Sequence, residues 1–180
     1  MAKNANVLII RHGEKPATGT DLTVAGQERA QAYIVYFQNY PVDTTPLKLN
    51  YLFAAADSDD SHRPRLTIEP LSKAIGLSID DTHKDKDYKK VADDIKDHSK
   101  YDNSNVLICW HHEEILKLAS ELGVIPSTLP ATANWPPSWP GGVYGWLLQI
   151  SFDGNGNVQP SQTFCVSEAL MHDDTEAPPG

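Results

Sequence analysis

Three polar segments of the sequence combine residue types that can bind and attack a phosphoryl group: Arg11–Glu14, Ser61–Arg65 and His111–Glu113. A neutral imidazole nitrogen can attack phosphorus and hold the phosphoryl group as a phosphohistidine, which divides one difficult displacement into two easier ones. Guanidinium groups match the geometry of phosphoryl oxygens and stay charged at any working pH. This chemistry favours His12 as the nucleophile. The candidate anion-binding groups are Arg11 and Arg63, with Arg65 behind them.

The elements that must position these segments alternate between strand and helix patterns. Continuous apolar runs predict strands buried on both faces at Val7–Ile10, Leu49–Ala56 and Val106–Trp110. Helical spacing of apolar residues follows the strands, with Thr23 and Ser61 as the predicted N-caps of the first two helices. We expect Pro70 to kink or restart the second of these helices, because proline cannot donate the helical hydrogen bond.

This alternation predicts an α/β fold, a single domain with a mainly parallel sheet flanked by helices. In such sheets, ligands bind beyond the carboxyl ends of the strands. The three polar segments stand at or just beyond such ends. We therefore expect Arg11, His12, Arg63 and a second histidine to meet in one pocket.

The last part of the chain has a different pattern. Two apolar segments, Val143–Ile150 and Val158–Val166, flank the turn sequence Asp153–Asn157 and predict a C-terminal hairpin. The domain is expected to span residues 1–170. Residues 171–180 are acidic and contain proline, and we expect them to form a flexible tail.

Charge and composition exclude several classes of function. Fifteen Lys and Arg against 24 Asp and Glu give a formal net charge of −9, whereas nucleic acids and anionic membranes are bound by basic surfaces. The apolar runs are far shorter than the ~20 residues of a membrane helix, and no signal peptide is expected. Cys109 and Cys165 have no metal-binding or redox spacing. We therefore expect a cytoplasmic protein that binds no nucleic acid or membrane and uses no metal or cofactor.

Four segments resemble motifs of the histidine phosphatase superfamily, the phosphoglycerate mutase-like group. They are Arg11–Glu14, Leu22–Gln27, Ser61–Leu71 and Val106–His112. The first is similar to the family's Arg-His-Gly signature, the third to its second arginine motif, and the fourth to the strand that precedes its second histidine. The order and spacing of the four agree over about residues 5–123. The resemblance implies a phosphoglycerate mutase-like fold.

The resemblance also implies roles for the matched residues. His12 would be the nucleophile, and Arg11 and Arg63 would hold the phosphoryl group. A second histidine would make another contact with the phosphate. Arg65 and Glu14 are the further candidates for binding substrate.

Two adjacent histidines compete for the role of the second histidine. His112 is preferred, because a subgroup of the family reads Trp-x-His-x-x-Ile and Trp110 and Ile115 occupy the matching positions. His111 is the alternative, favoured by the strand register of the broader family. Consecutive strand residues point to opposite faces, so only one of the pair is expected to face the phosphate.

The general acid departs from the family pattern. No Glu lies between Glu69 and Glu113, where the mutase-like branch supplies its acid. The phytase-like branch places an acid directly after its second histidine, as Glu113 follows His112 here. A carboxyl group in a partly dry pocket has a raised pKa and can protonate a leaving alkoxide. Glu113 is therefore the first candidate, followed by Asp81 and Asp85.

Taken together, these residues predict a metal-independent phosphatase that hydrolyses a small phosphomonoester through a phosphohistidine intermediate. Its expected partner is a small phosphorylated substrate. Two alternatives remain open: a phosphate-binding or scaffold protein with little turnover, and a phosphoglycerate-type mutase. A mutase needs a larger and more basic pocket for a phosphorylated priming molecule, and the motifs here contain few basic residues.

Overall fold

The computed structural model describes residues 2–42, 45–172, 174 and 178. Its strands are β1 (Asn6–Arg11), β2 (Pro41–Val42), β3 (Thr45–Pro46), β4 (Tyr51–Ala54), β5 (Ile79–Asp80), β6 (Asn105–Trp110), β7 (Trp146–Ser151) and β8 (Phe164–Ser167). Its helices are α1 (Val24–Asn39), α2 (Arg63–Ile75), α3 (Tyr88–Asp97) and α4 (His112–Glu121). Within the described residues, no helix is both long enough and apolar enough to cross a membrane.

Six of the strands form a central sheet in the order β5-β4-β6-β1-β7-β8. Strands β5, β4, β6 and β1 are parallel, whereas β7 runs antiparallel to both β1 and β8. Strands β2 and β3 pair separately. In the register of the sheet, Arg11 at the end of β1 lies opposite Trp110 at the end of β6. The residues that follow these two strands therefore emerge side by side.

Alternate residues of the central strands pack into two layers, one on each face of the sheet. Val7 and Ile9 belong to a core cluster that includes residues of α3 and α4. Leu8 and Ile10 belong to a second cluster that includes residues of α1 and α2. Continuous apolar runs are required here because both faces of the strand are covered. The predicted α/β fold, a single domain with a mainly parallel sheet flanked by helices, is confirmed.

The helix starts and stops differ from the predicted ones in two places. The Thr23 hydroxyl accepts a hydrogen bond from Gly26 N at 3.1 Å, which confirms the first N-cap. The second N-cap is His62, not Ser61, and α2 continues through Pro70 to Ile75. The helix does not restart at Pro70. Burial of the helix against the sheet and α1 outweighs the single backbone hydrogen bond that proline removes.

The C-terminal hairpin is confirmed by the antiparallel pairing of β7 with β8. The Asp153 carboxylate closes the turn that follows β7, since it accepts hydrogen bonds from Asn155 N and Asn157 N at 2.8 Å each. Of the predicted tail, residues 173, 175–177, 179 and 180 lie outside the described residues. The division of the chain at residue 170 stays a prediction.

Candidate active site

The ends of β1 and β6 bring His12 and His111 together. His12 N donates a hydrogen bond to Trp110 O at 3.0 Å, which continues the pairing of the two strands by one residue. The imidazole rings of His12 and His111 meet edge to face, with their centroids 5.0 Å apart. His12 is only 2% exposed. One nitrogen-rich surface therefore forms at the carboxyl ends of the parallel strands, as the fold predicts.

The backbone decides which nitrogen of His12 is free to react. His12 Nδ1 lies 2.7 Å from Gly13 O. A carbonyl oxygen can only accept, so Nδ1 carries the proton and Nε2 keeps its lone pair. Burial lowers the pKa of His12 to about 2, because the charged imidazolium is poorly solvated there. His12 is thus a neutral imidazole with a nucleophilic Nε2 at ordinary pH.

Arg11 is a fully buried cation held from one side. Its Nη1 donates to Gly141 O and Val143 O at 2.8 Å each. Its guanidinium carbon lies 3.8 Å from the centre of the Tyr144 ring, a cation–π contact. Burial lowers the pKa of Arg11 to about 10, which leaves it charged at neutral pH. These contacts orient the guanidinium group before any ligand arrives.

Arg63 approaches the same place from the first turn of α2. Its Nη1 donates to Gly19 O at 3.0 Å, and its Nη2 donates to Asp60 O at 3.2 Å. A short hydrogen-bonded relay connects this turn to the backbone next to His12. Gly13 N donates to Thr67 Oγ1 at 2.8 Å, and the Thr67 hydroxyl donates to Arg63 O at 2.7 Å. The relay fixes the position of Arg63 relative to His12.

Three unpartnered polar atoms in one cavity distinguish this place from the rest of the fold. Within the residues that the structure describes, the buried side-chain atoms without a hydrogen-bond partner are Arg11 Nε, Arg63 Nε and Asp85 Oδ1. All three residues line the same cavity, whose volume is about 380 Å³. Buried polar groups are otherwise nearly always paired. Two donors and one acceptor are therefore available to a ligand in this cavity.

The cavity also collects residues that the sequence did not single out. Its lining is Arg11, His12, Lys15, Ser58, Asp60, Ser61, Arg63, Asp85, His111, His112 and Glu113. Lys15, Ser58, Asp60 and Ser61 lie next to the predicted motifs in sequence, and that adjacency is the signal that could have found them. Tyr144, which covers Arg11, comes from a loop with no recognisable motif.

Two of the three candidates for the general acid, Asp85 and Glu113, line the cavity, and the side chain of Asp85 is the less exposed of the two. Asp85 O accepts a hydrogen bond from the Trp110 indole at 3.0 Å, which fixes this residue beside the end of β6. Burial raises the pKa of Asp85 to about 6. Glu113 lines the cavity too, but its side chain is 67% exposed. Asp81 is not among the residues that line the cavity.

Both histidines of the adjacent pair line the cavity, but only His111 contacts the His12 ring. The chain turns from strand to helix between them, since β6 ends at Trp110 and α4 begins at His112. Which of the two would face a bound phosphate stays a prediction. Burial lowers the pKa of His111 to about 4 and also lowers the pKa of His112.

Arg65 and Glu14, the remaining predicted substrate contacts, lie outside the cavity. Arg65 forms an ion pair with Asp57 at 2.7 Å on the surface of α2. It lies two positions after Arg63, so the two side chains leave the helix in different directions. Glu14 turns away from the cavity to pair with Arg29 at 2.6 Å. Among the described residues, no group of three or more His, Cys, Asp or Glu side chains is arranged to hold a metal ion.

Comparison with known proteins identifies the fold. No protein-family model and no curated protein matches the sequence. A protein histidine phosphatase SixA in complex with tungstate matches the structure with a TM-score of 0.59 and 14% identity, covering 88% of this chain and 96% of that chain. A candidate alpha-ribazole-5'-P phosphatase from Escherichia coli K-12 matches with a TM-score of 0.59 and 13% identity, covering 92% of this chain and 98% of that chain.

A third match is the phosphoglycerate mutase of Plasmodium falciparum, with a TM-score of 0.52 and 14% identity. It covers 87% of this chain and 88% of that chain. At such identities the likeness is one of fold, and it extends over nearly the full length of each protein. This chain therefore shares its fold with these three proteins.

Proposed function

We propose that this protein is a metal-independent phosphatase that hydrolyses a small phosphomonoester through a phosphohistidine at His12. One observation carries the proposal. A neutral imidazole with a free Nε2 shares a cavity with two guanidinium groups, and each guanidinium retains an unpartnered Nε donor. An anion with several oxygens would satisfy those donors while its central atom faces the imidazole.

The proposed reaction has two displacements. His12 Nε2 attacks phosphorus, and the bond from phosphorus to the ester oxygen breaks as that oxygen takes the proton of Asp85. Water then attacks the phosphohistidine and gives a proton to the Asp85 carboxylate. The phosphorus–nitrogen bond breaks, and inorganic phosphate and neutral His12 are released. Arg11 and Arg63 stabilise the charge on the phosphoryl oxygens in both steps.

Asp85 is the proposed acid in place of Glu113, which the sequence ranks first. A general acid works best when its pKa lies near the operating pH, and the raised pKa of Asp85, about 6, meets that condition. Its unpartnered Oδ1 is buried in the cavity, where a leaving oxygen would lie. The side chain of Glu113 is largely in solvent.

His111 is the proposed second phosphate contact, a reversal of the preference for His112. Its ring lies against His12, so a phosphoryl group on His12 Nε2 would lie beside it. The lowered pKa of His111, about 4, keeps its ring neutral, so it can donate one N–H to an oxygen without competing as a base. His112 also lines the cavity, with its Nε2 close to Gly141, whose carbonyl accepts from Arg11.

The proteins of known structure with this fold support hydrolysis as the reaction class. Two of them are named as phosphatases, and the third is a mutase. A mutase must hold a second phosphorylated molecule. Beyond the two arginines, the cavity here offers one lysine and three carboxylates, Asp60, Asp85 and Glu113. Those carboxylates would repel a second phosphate, which favours transfer to water over transfer to a sugar acid.

The test is hydrolysis of p-nitrophenyl phosphate in the presence of EDTA by the wild-type protein and the His12→Ala variant. We expect the variant to lose activity by several orders of magnitude while its circular dichroism is unchanged. His98→Ala is the matched control, because His98 is an exposed histidine directly after the end of α3, where it pairs with Asp94.

Acid-labile phosphorylation of His12 in rapidly quenched samples should accompany turnover. Wild-type activity in folded His12→Ala would reject the mechanism. Phosphate binding by calorimetry without hydrolysis of any ester would instead favour a binding protein. Isomerisation of a phosphoglycerate that depends on a bisphosphorylated primer, faster than phosphate release, would favour a mutase.

A further inference from the structure

Arg29 of α1 lies at the centre of a buried charge cluster outside the cavity. It is 1% exposed and forms ion pairs with carboxylates from three parts of the chain. These are Glu14 at 2.6 Å, Glu168 at 3.1 Å and Asp174 at 2.6 Å. One buried guanidinium needs a single carboxylate to balance its charge, and every additional buried charge costs desolvation energy. Burial raises the pKa of Glu168 to about 8, so this group is largely protonated at neutral pH. Two further acidic groups beside one guanidinium still call for an explanation other than neutralisation of Arg29.

One arm of the cluster reaches the nucleophile. Arg29 Nε and Nη2 both donate to Glu14, which is two residues after His12. Glu14 O in turn accepts a hydrogen bond from Thr23 N at 2.9 Å. Gly13 and Gly26 are in close contact, because a Cβ on Gly13 would lie 3.0 Å from Gly26 O. Arg29 therefore fixes the segment after His12 against the start of α1.

The second arm reaches the residue that covers Arg11. Glu168 N donates to Gly145 O at 2.7 Å. The Asp174 carboxylate lies so close to Gly145 that a Cβ there would overlap it. Gly145 directly follows Tyr144, whose ring lies on the Arg11 guanidinium group. Glu168 and Asp174 thus touch the backbone that orients Tyr144.

Within the described residues of the C-terminal segment, 168–172, 174 and 178, backbone groups contact one of these carboxylates. Asp174 Oδ2 accepts hydrogen bonds from Leu170 N and Met171 N at 3.0 Å each. Glu168 accepts a hydrogen bond from the Tyr33 hydroxyl at 2.8 Å. The pair formed by Glu168 and Asp174, which we call the C-terminal carboxylates, therefore has a defined position behind the active site.

We propose that Arg29 and the C-terminal carboxylates are positioning residues for the reaction, an inference that rests on the phosphatase function proposed above. The cluster connects the segment after His12 to the segment after Tyr144. Through these contacts outside the cavity, it sets the distance between the nucleophile and the Arg11 guanidinium group. The C-terminal carboxylates are then required for full activity, although the described residues of that segment contribute no side chain to the cavity lining.

The test compares two variants that disturb the cluster differently. Asp174→Ala removes one carboxylate, and Gly145→Ala displaces that carboxylate while the charges are kept. We expect each to lower kcat for p-nitrophenyl phosphate about tenfold, since small misplacements of reacting groups cost rate steeply. Asp174→Asn keeps an oxygen that accepts hydrogen bonds, and it should recover kcat to within about threefold of wild type.

Two matched controls separate positioning from general destabilisation. Asp94→Ala removes a partly buried carboxylate that pairs with His98 and accepts a hydrogen bond from the Tyr101 hydroxyl. Asp94 does not line the cavity. Gly142→Ala adds a methyl group to the same loop as Gly145, where it meets nothing within 4 Å. Both controls should keep wild-type kcat and KM.

A reading independent of turnover is the NMR resonance of the proton on His12 Nδ1. It should shift in Asp174→Ala and Gly145→Ala and stay unchanged in the controls. Wild-type kcat and an unchanged resonance in the two folded variants would overturn the proposal, as would an equal loss in Asp94→Ala. An inactive wild-type protein would count against the phosphatase function, and the resonance would still decide whether the cluster positions His12.

Discussion

Replacement of Asp85 by Asn should separate substrates by their leaving groups. The substitution preserves the shape of the side chain but removes its transferable proton. An alkoxide leaves only when it is protonated, whereas p-nitrophenolate is stable without a proton. We therefore expect Asp85→Asn to lose activity toward an alkyl phosphate such as glycerol 2-phosphate and to keep most of its activity toward p-nitrophenyl phosphate.

The size and the pH dependence of this effect follow from the position of Asp85. Positioned general acids contribute about 100-fold to 10,000-fold, so the alkyl substrate should lose at least about 100-fold in kcat/KM. With a pKa of about 6, roughly nine-tenths of Asp85 is protonated at pH 5 and roughly one-tenth at pH 7. The acid form is the active one, so alkyl phosphate hydrolysis should fall about tenfold between those pH values.

The assay measures inorganic phosphate release from both substrates between pH 5 and pH 8. The two substrates ionise at different pH values, so the ratio of the alkyl rate to the aryl rate is compared between wild type and Asp85→Asn at each pH. Substrate ionisation then cancels, because both proteins receive the same substrates. The ratio in wild type should exceed the ratio in Asp85→Asn at low pH, and this difference should shrink as the pH rises through about 6. Glu113→Gln is the matched control. Glu113 is the acid that the sequence ranks first, and it lines the same cavity as Asp85.

An unchanged substrate ratio in Asp85→Asn would refute the assignment of the acid. A selective loss of alkyl activity in Glu113→Gln, with Asp85→Asn unaffected, would transfer the role to Glu113. Equal losses for both substrates in Asp85→Asn would indicate that Asp85 supports the shape of the cavity and not proton transfer.

Three further outcomes are expected. Trp110→Phe removes the indole donor to Asp85 O, so the alkyl rate should fall about fivefold with little change in the aryl rate. Gly26→Ala places a Cβ 2.8 Å from Glu14 O, and urea denaturation should show a loss of about 1–3 kcal/mol. Burial raises the pKa of Glu168 to about 8, above its value in the unfolded chain. Its stabilising contribution is therefore complete below the ordinary pKa of 4.5, declines as the pH rises from there by at most about 1.4 kcal/mol per pH unit, and is lost once the pH has passed about 8. Thermal unfolding of wild type should show that decline, and Glu168→Gln should be less sensitive to pH; an equal decline in both would assign it to other groups.

The positions of the central strands in the chain could be predicted from the sequence because their physical cause is local. A strand buried on both faces must be a continuous apolar run, and the polar residues after it must lie at the edge of the sheet. Val7–Ile10 followed by Arg11-His12, and Val106–Trp110 followed by His111, satisfy this rule directly. Parallel pairing of those two strands then places both histidines together, as the structure has them.

The choice among similar residues was decided only by the tertiary structure. The sequence offers three carboxyl groups of similar chemistry, those of Asp81, Asp85 and Glu113. In the structure, the indole of Trp110 holds Asp85 at the cavity, whereas Glu113 extends into solvent. Arg63 and Arg65 differ in the same way, because the direction of α2 relative to the sheet admits only one of them. Orientation of this kind depends on packing between distant segments, which no local pattern encodes.

The contact between Arg29 and Asp174 is the extreme case, since 145 residues separate the two in sequence. Periodicity marks Arg29 only as one position of a helix, and charge marks Asp174 only as part of an acidic tail. The local sequence determined that a histidine would stand at the end of a buried strand. Folding of the whole chain decided which charges surround it, because electrostatic interactions depend on distances in space and not on distances along the chain.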